Sequence, residues 1–108
     1  MNAQEFVSYW KKEKESSIEL YFSGSENTAV SSLIEDLELD EDKKEILKKA
    51  FDQALTDTYY TLLLGLDGAA SIGGLQHIFS IYDEEKNLIS ECGDLEAEAY
   101  TQFQEQET

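Results

Sequence analysis

Four glycines fall within "LLLGLDGAASIGG", Leu62 to Gly74, and glycines beside a helix can cradle a phosphate. A dinucleotide fingerprint needs G-x-G-x-x-G after a strand and opening a helix. Gly65, Gly68, Gly73 and Gly74 instead read G-x-x-G-x-x-x-x-G-G, after a helical pattern and before an extended one. The template G-x-x-x-x-G-K-[ST] fits Gly68 and Gly73 but meets Gly74 where lysine is required. No lysine lies between Phe51 and Glu85 to hold a phosphate. The glycines therefore mark a corner. Gly65 is expected to stop the preceding helix, Asp67 to cap the turn through its side chain, and the backbone to pack closely near Ala69 and Ala70.

The other reactive residues are few. Cys92 is the one cysteine, so no internal disulfide forms, and no spacing resembles a zinc site. His77 and Cys92 are a formal base and nucleophile, but no cation near Cys92 lowers a thiol pKa, and Glu91 and Asp94 oppose it. His77 is expected to be structural, sharing a strand face with Phe79 and Ile81. "DLELDEDKKE" lacks the glycine of a calcium loop and runs into a helix. No catalytic residue, cofactor or metal site is assigned, and the chain is not read as an enzyme.

The elements that position these residues follow from periodicity. Asn2 caps a first helix reaching about Lys14, with Phe6, Val7, Tyr9 and Trp10 on its apolar side. In "SSIELYFSG", Ile18, Leu20 and Phe22 alternate with Glu19 and Tyr21, which suits a strand over 17–22 or a helical turn. Ser25 or Asn27 opens a second helix carrying Ala29, Val30, Leu33, Ile34 and Leu37 on one face. Asp40 caps a third helix from Glu41 to about Leu64. Its core stripe is Ile46, Leu47, Ala50, Phe51, Ala54, Leu55, Thr58, Tyr59 and Leu62, with Glu41–Lys44 and Glu45–Lys49 as helical ion pairs. "LQHIFSIY" alternates as a strand, "DEEKN" turns with Asn87 at positive φ, and "LISE" returns. A last helix buries Leu95, Ala99, Tyr100 and Phe103, and residues 105–108 fray. The fold class is α+β: about four helices on a small antiparallel sheet, with a hairpin near residues 75–91, in a single domain over 1–108.

Charge is the strongest functional signal. Twenty-four acids face eight bases, all lysine, for a net charge of −16. Residues 1–49 hold twelve acids and seven lysines, whereas residues 50–108 hold twelve acids and Lys86 alone. That field repels a phosphate backbone, which argues against direct nucleic-acid binding, and it speeds encounter with a basic protein by about 10–10³-fold at low salt. No apolar stretch is long enough for a signal peptide core or a membrane span, so a cytoplasmic chain is expected.

Small size, acidity, the run "YYTLLLGLDGAASIGGLQHIFSIYDEEKNLI" and the following "GDLEAEAY" together resemble bacterial immunity proteins, over roughly Asp57 to Tyr100. The resemblance implies stoichiometric inhibition of one basic toxin domain, commonly a nuclease, by blocking its active site or substrate groove. It supplies no site residues, because immunity proteins share no single fold or motif. From the residues themselves, one candidate partner-binding patch is Glu35, Asp36, Glu38, Asp40, Glu41 and Asp42. A second is Asp83, Glu84 and Glu85 with Asp94, Glu96 and Glu98. Tyr60 and Tyr82 fall off the main stripes and are expected to be exposed anchors. An acidic adaptor or regulatory module, or a DNA mimic that occupies another basic protein, would use the same electrostatics.

Overall fold

Capping side chains begin each of the first three helices in the computed structural model, which describes residues 1–91 and 93–105. Asn2 Oδ1 accepts from the Glu5 amide at 2.9 Å, and Glu5 Oε1 accepts from the Asn2 amide, which opens α1 (Ala3–Phe22). Thr28 and Ser31 close the same reciprocal box at the start of α2 (Ala29–Asp36). Asp40 Oδ1 accepts from the Lys43 amide at 2.9 Å and opens α3 (Glu41–Leu66). A short α4 (Asp94–Ala99) continues into a π-helical turn, Tyr100–Gln104.

The long helices α1 and α3 run antiparallel, as their paired contacts require. Phe6 and Trp10 near the start of α1 meet Tyr59 and Leu63 near the end of α3, with Trp10 and Tyr59 centroids 5.7 Å apart. At the other end, Tyr21 and Phe22 meet Phe51 edge-on, at 6.3 and 5.4 Å. Between the clusters, Lys14 Nζ donates to Asp52 Oδ1 at 2.7 Å and to the buried Thr56 hydroxyl at 3.0 Å. The core proper collects Ala3 and Val7 from α1, Leu63 from α3, Leu95 and Ala99 from α4, Phe103 from the π-helical turn, and Ile89. Among the helices α2 packs on α1 alone, with Ile34 buried.

This architecture corrects the α+β expectation. The described residues contain helices and two isolated bridges, Ile72 with Leu75 and Tyr82 with Leu88, and no sheet. The chain does reverse over residues 83–87, and the Ile89 amide donates to the Ile81 carbonyl at 2.7 Å. The ladder then stops because Ser90 Oγ takes the next rung, accepting from the Ile81 amide at 2.8 Å and donating to the Phe79 carbonyl at 3.1 Å. Positive φ falls on Lys86, at 69°, and not on Asn87. "SSIELYF" is likewise the last two turns of α1, since its aromatics are held by Phe51 on α3. Helix spacing wins there because tertiary burial rewards it. His77 is exposed, 5.5 Å edge-on from Phe79, while Cys92 and residues 106–108 of the expected frayed tail lie outside the described residues.

Two expected features of α3 also change. Gly65 is a buried helical residue, not the stop; the Ile72 side chain packs over its Cα where a Cβ would stand. The helix ends one residue later, at Leu66, and is closed by a Schellman motif. The Gly68 amide donates to the Gly65 carbonyl at 3.2 Å and the Ala69 amide to the Leu64 carbonyl at 2.9 Å, with Gly68 at φ 80°. The broad stripe is split as well. Leu47, Phe51, Leu55 and Tyr59 are half-buried, whereas Ile46, Ala50, Ala54, Thr58 and Leu62 are exposed. The expected Glu41–Lys44 and Glu45–Lys49 ion pairs do not form: among the described residues only the Met1 amine with Asp83 and Lys14 with Asp52 come within 4.0 Å.

Gly68 is the position where the corner depends on glycine. A Cβ there would meet Ile78, and the left-handed backbone costs a non-glycine residue about 1–2 kcal/mol. Gly68→Ala is expected to lower the unfolding free energy in urea by at least about 1 kcal/mol. An unchanged midpoint would show that the Schellman turn is not what ends α3.

Candidate functional site

The connector between α2 and α3 presents the first acidic patch. Glu35, Asp36, Glu38, Asp40, Glu41 and Asp42 are all exposed. Three of them answer a local need as well as adding charge. Asp40 is the cap of α3, and Glu41 and Asp42 stand in its first turn, where the helix dipole favours carboxylates. Glu38 holds φ at 50°, which turns the chain out of α2. None of the six is ion-paired, since the two ion pairs among the described residues lie elsewhere.

Apolar side chains share this surface. On α2, Ile34 turns inward, while Ala29, Leu33 and Leu37, at four-residue steps beside it, stay exposed. Leu33 is 67% exposed and Leu37, at the C-cap, 57%. A helix of two turns that contacts only α1 has no second element to cover that face. The result is a pair of exposed leucines beside unpaired carboxylates. The sequence put Leu33, Ile34 and Leu37 on one apolar face, and spacing does not reveal how much of that face is covered.

The second acidic patch is arranged differently. Asp83 is an internal organiser. Its Oδ1 accepts from the Glu85 and Asn87 amides at 3.0 and 2.9 Å, and its Oδ2 accepts from Asn87 Nδ2 at 3.2 Å and from the Met1 amine at 2.8 Å. The amine contact, followed by the Asn87 amide, holds the Asp83 carboxyl well below the usual carboxylate range, and the amine is raised in turn. Glu84, Glu85, Asp94 and Glu96 are exposed, while Glu98 is half-buried and accepts from Gln102 Nε2 at 3.1 Å. Asp67 ties this region to α3, its Oδ2 accepting from the Glu96 amide at 3.0 Å. The Asp67 side chain was expected to cap the turn after α3, and the bond it makes reaches the start of α4 instead.

The aromatic anchors exchange places. Tyr82 is exposed, as expected, but Tyr60 is half-buried against the core. Tyr9 and Tyr100, expected on buried stripes, are exposed, and Lys12 Nζ sits 5.1 Å from the Tyr9 ring centroid. The surface carries several open depressions. One of about 460 Å³ lies between α3 and the following loop, lined by Asp57, Thr58, Thr61, Leu62, Ser71, Ile72 and Gly73. Among the described residues no three His, Cys, Asp or Glu side chains gather as metal ligands, and no helix is long and apolar enough to cross a membrane.

The position of Asp83 has a pH signature. A carboxyl depressed in the folded state contributes stability above its unfolded pKa and loses that contribution as pH falls through the range below it. The deficit in Tm of Asp83→Asn relative to wild type is expected to stay constant from about pH 5 to 7 and to shrink below about pH 4. A deficit that persists unchanged at pH 3 would contradict the ion pair's role. Comparison with protein-family models, with curated proteins and with solved structures finds no match to this chain.

Proposed function

We propose that this chain is a stoichiometric binding protein for a basic protein domain, acting as an immunity-type inhibitor of a toxin. The observation that carries the reading is the α2 surface: Leu33 and Leu37 exposed beside six carboxylates that have no internal cation. Apolar side chains at the centre of an interface supply affinity once water is excluded, and the surrounding charge sets orientation and on-rate. Carboxylates on an exposed connector present negative charge to a groove built for phosphates. A net charge of −16 adds long-range attraction to the same class of partner. No reaction is assigned to the chain, and Tyr82 with Glu84 and Glu85 forms a second, peripheral acidic surface.

Purification from source cells at low ionic strength is expected to bring down one protein with a pI above about 9, in a 1:1 complex that suppresses that protein's activity. Neutralising Glu35, Asp36, Glu38, Glu41 and Asp42 as amides, with the Asp40 cap retained, is expected to weaken the complex at least about 100-fold. Leu33→Ser with Leu37→Ser is expected to weaken it at least about 10-fold without lowering Tm. A complex indifferent to both variants would refute this surface. A partner that is bound but not inhibited would make the chain an adaptor.

A further inference from the structure

We infer that the free edge of the segment Gln76–Tyr82 is a second docking surface, and that its occupant is the same edge of a second copy of this chain, added antiparallel about Phe79. Main-chain bonding here follows a period of two. Ile72 and Leu75 exchange both main-chain bonds, at 2.8 and 3.0 Å. The Phe79 carbonyl accepts from Ser90 Oγ, and the Ile81 amide donates to that oxygen. The Ile81 carbonyl accepts from the Ile89 amide, and the Asp83 amide donates to the Asn87 carbonyl at 3.1 Å. Within 75–83 every residue so bonded is odd-numbered. Gln76, Ile78, Ser80 and Tyr82 alternate with them, are exposed, and have no main-chain partner among the described residues. Successive residues of an extended chain turn their amides and carbonyls to opposite edges. One edge is therefore consumed by the fold and the other is free.

The corner after α3 lies against a face of this segment and leaves its edge open. Gln76 Nε2 donates to the Gly68 carbonyl at 2.9 Å, and the Ile78 side chain packs over Gly68 where a Cβ would stand. Side chains stand roughly perpendicular to the edge direction, so the corner that meets them does not meet the main-chain groups. Natural edges are commonly blunted by lysine or proline. Neither guards this one: the chain has no proline, and Gly68–Tyr82 is its longest run without an acid or a lysine.

Charge and register name the occupant. A cationic partner finds its complement in the acids, not along an edge that carries none. For chains of net charge −16, the same run is where two copies approach with least local repulsion. Antiparallel pairing about Phe79 sets Gln76 against Tyr82 of the second copy and Ile78 against Ser80, each twice by the two-fold axis. These are bonded pairs that exchange two main-chain bonds apiece, so this register uses every free group of the edge. Moving the axis to Ile78 sets Tyr82 against the Gly74 turn, and moving it to Ser80 sets Gln76 against Glu84. The Phe79 axis also holds the two Asp83 turns at opposite ends, about 26 Å apart and well beyond a Debye length of about 10 Å. Two short strands cover less area than a permanent dimer buries, so the association is weak, with Kd on the order of 100 µM.

Amide hydrogen exchange of the full chain, followed by NMR at about 20 µM and about 1 mM, tests the edge residue by residue. The amides of Gln76, Ile78, Ser80 and Tyr82 are expected to slow about 4-fold at the higher concentration, while those of His77 and Phe79, on the opposite edge, keep their rates. Ser80→Pro removes an amide that has no partner within the chain, and is expected to abolish the concentration dependence with helicity unchanged. Ile78→Glu with Ser80→Glu sets like charges across the two strands and is expected to leave a monomer. Ile78→Glu with Ser80→Lys sets opposite charges across the same pairs and is expected to restore the dimer. Exchange independent of concentration overturns the proposal, as does slowing shared equally by His77 and Phe79, or a Ser80→Pro chain that still dimerises. Slowing that appears only when a basic protein is added gives the edge to that partner and likewise overturns it. A charge-exchanged pair that restores nothing overturns the register about Phe79 on which the proposal rests. None of these residues belongs to the α2 surface, so either reading can fail while the other stands.

Discussion

Lys14 reaches across the seam between α1 and α3 to Asp52 and Thr56, midway between two aromatic clusters, and the remaining elements take their places from that seam. The Lys14 side chain is only 12% exposed, and its two oxygen partners offset the cost of drawing it from water. On either side, Trp10 with Tyr59 and Phe22 with Phe51 fix how far one helix slides along the other. Leu95, Ala99 and Phe103 close the end where Trp10 lies, and the loop from Ile72 to Ile89 is anchored there by Ile81 and Ile89. At the far end only α2 adds cover, through Ile34 against α1.

That arrangement explains why so much charge and so much apolar surface remain outside. With eight lysines for twenty-four acids, and two ion pairs among the described residues, internal electrostatics cannot hold the chain together. Apolar burial along one seam does, and a seam has only one inside. The outward face of α3 and the outward face of α2 are left unpartnered by the same geometry. They differ in surroundings: α2 stands among carboxylates, while α3 carries nearly balanced charge.

Much of the helical framework was legible in the residues. Asn2 and Asp40 were readable as caps because a side-chain oxygen followed by an apolar period is a local signal. The acids from Glu35 to Asp42 were readable as exposed for the same reason. What failed required knowledge of neighbours. Ile18, Leu20 and Phe22 fit either period, and only Phe51 decides between them. "LQHIFSIY" has strand composition, yet Ser90 interrupts the ladder before a sheet can form. Gly65 carried the sign of a helix end, but Ile72 needs its missing side chain inside the helix. The stripe on α3 showed a broad apolar face without showing that α1 covers half of it. Asp83 was counted as surface charge, although an aspartate opening "DEEKN" can organise the turn by accepting from the amide two residues on, as it does from Glu85.

The central claim is that unpaired carboxylates and two exposed leucines form a docking surface for a cationic protein. Calorimetric titration of the co-purified partner across an ionic-strength series tests it most directly. The account predicts one-to-one binding whose Kd rises steeply with NaCl between about 50 and 300 mM, as screening removes the attraction. A partner whose affinity is flat across that series, or no basic protein bound at any ionic strength, would contradict it.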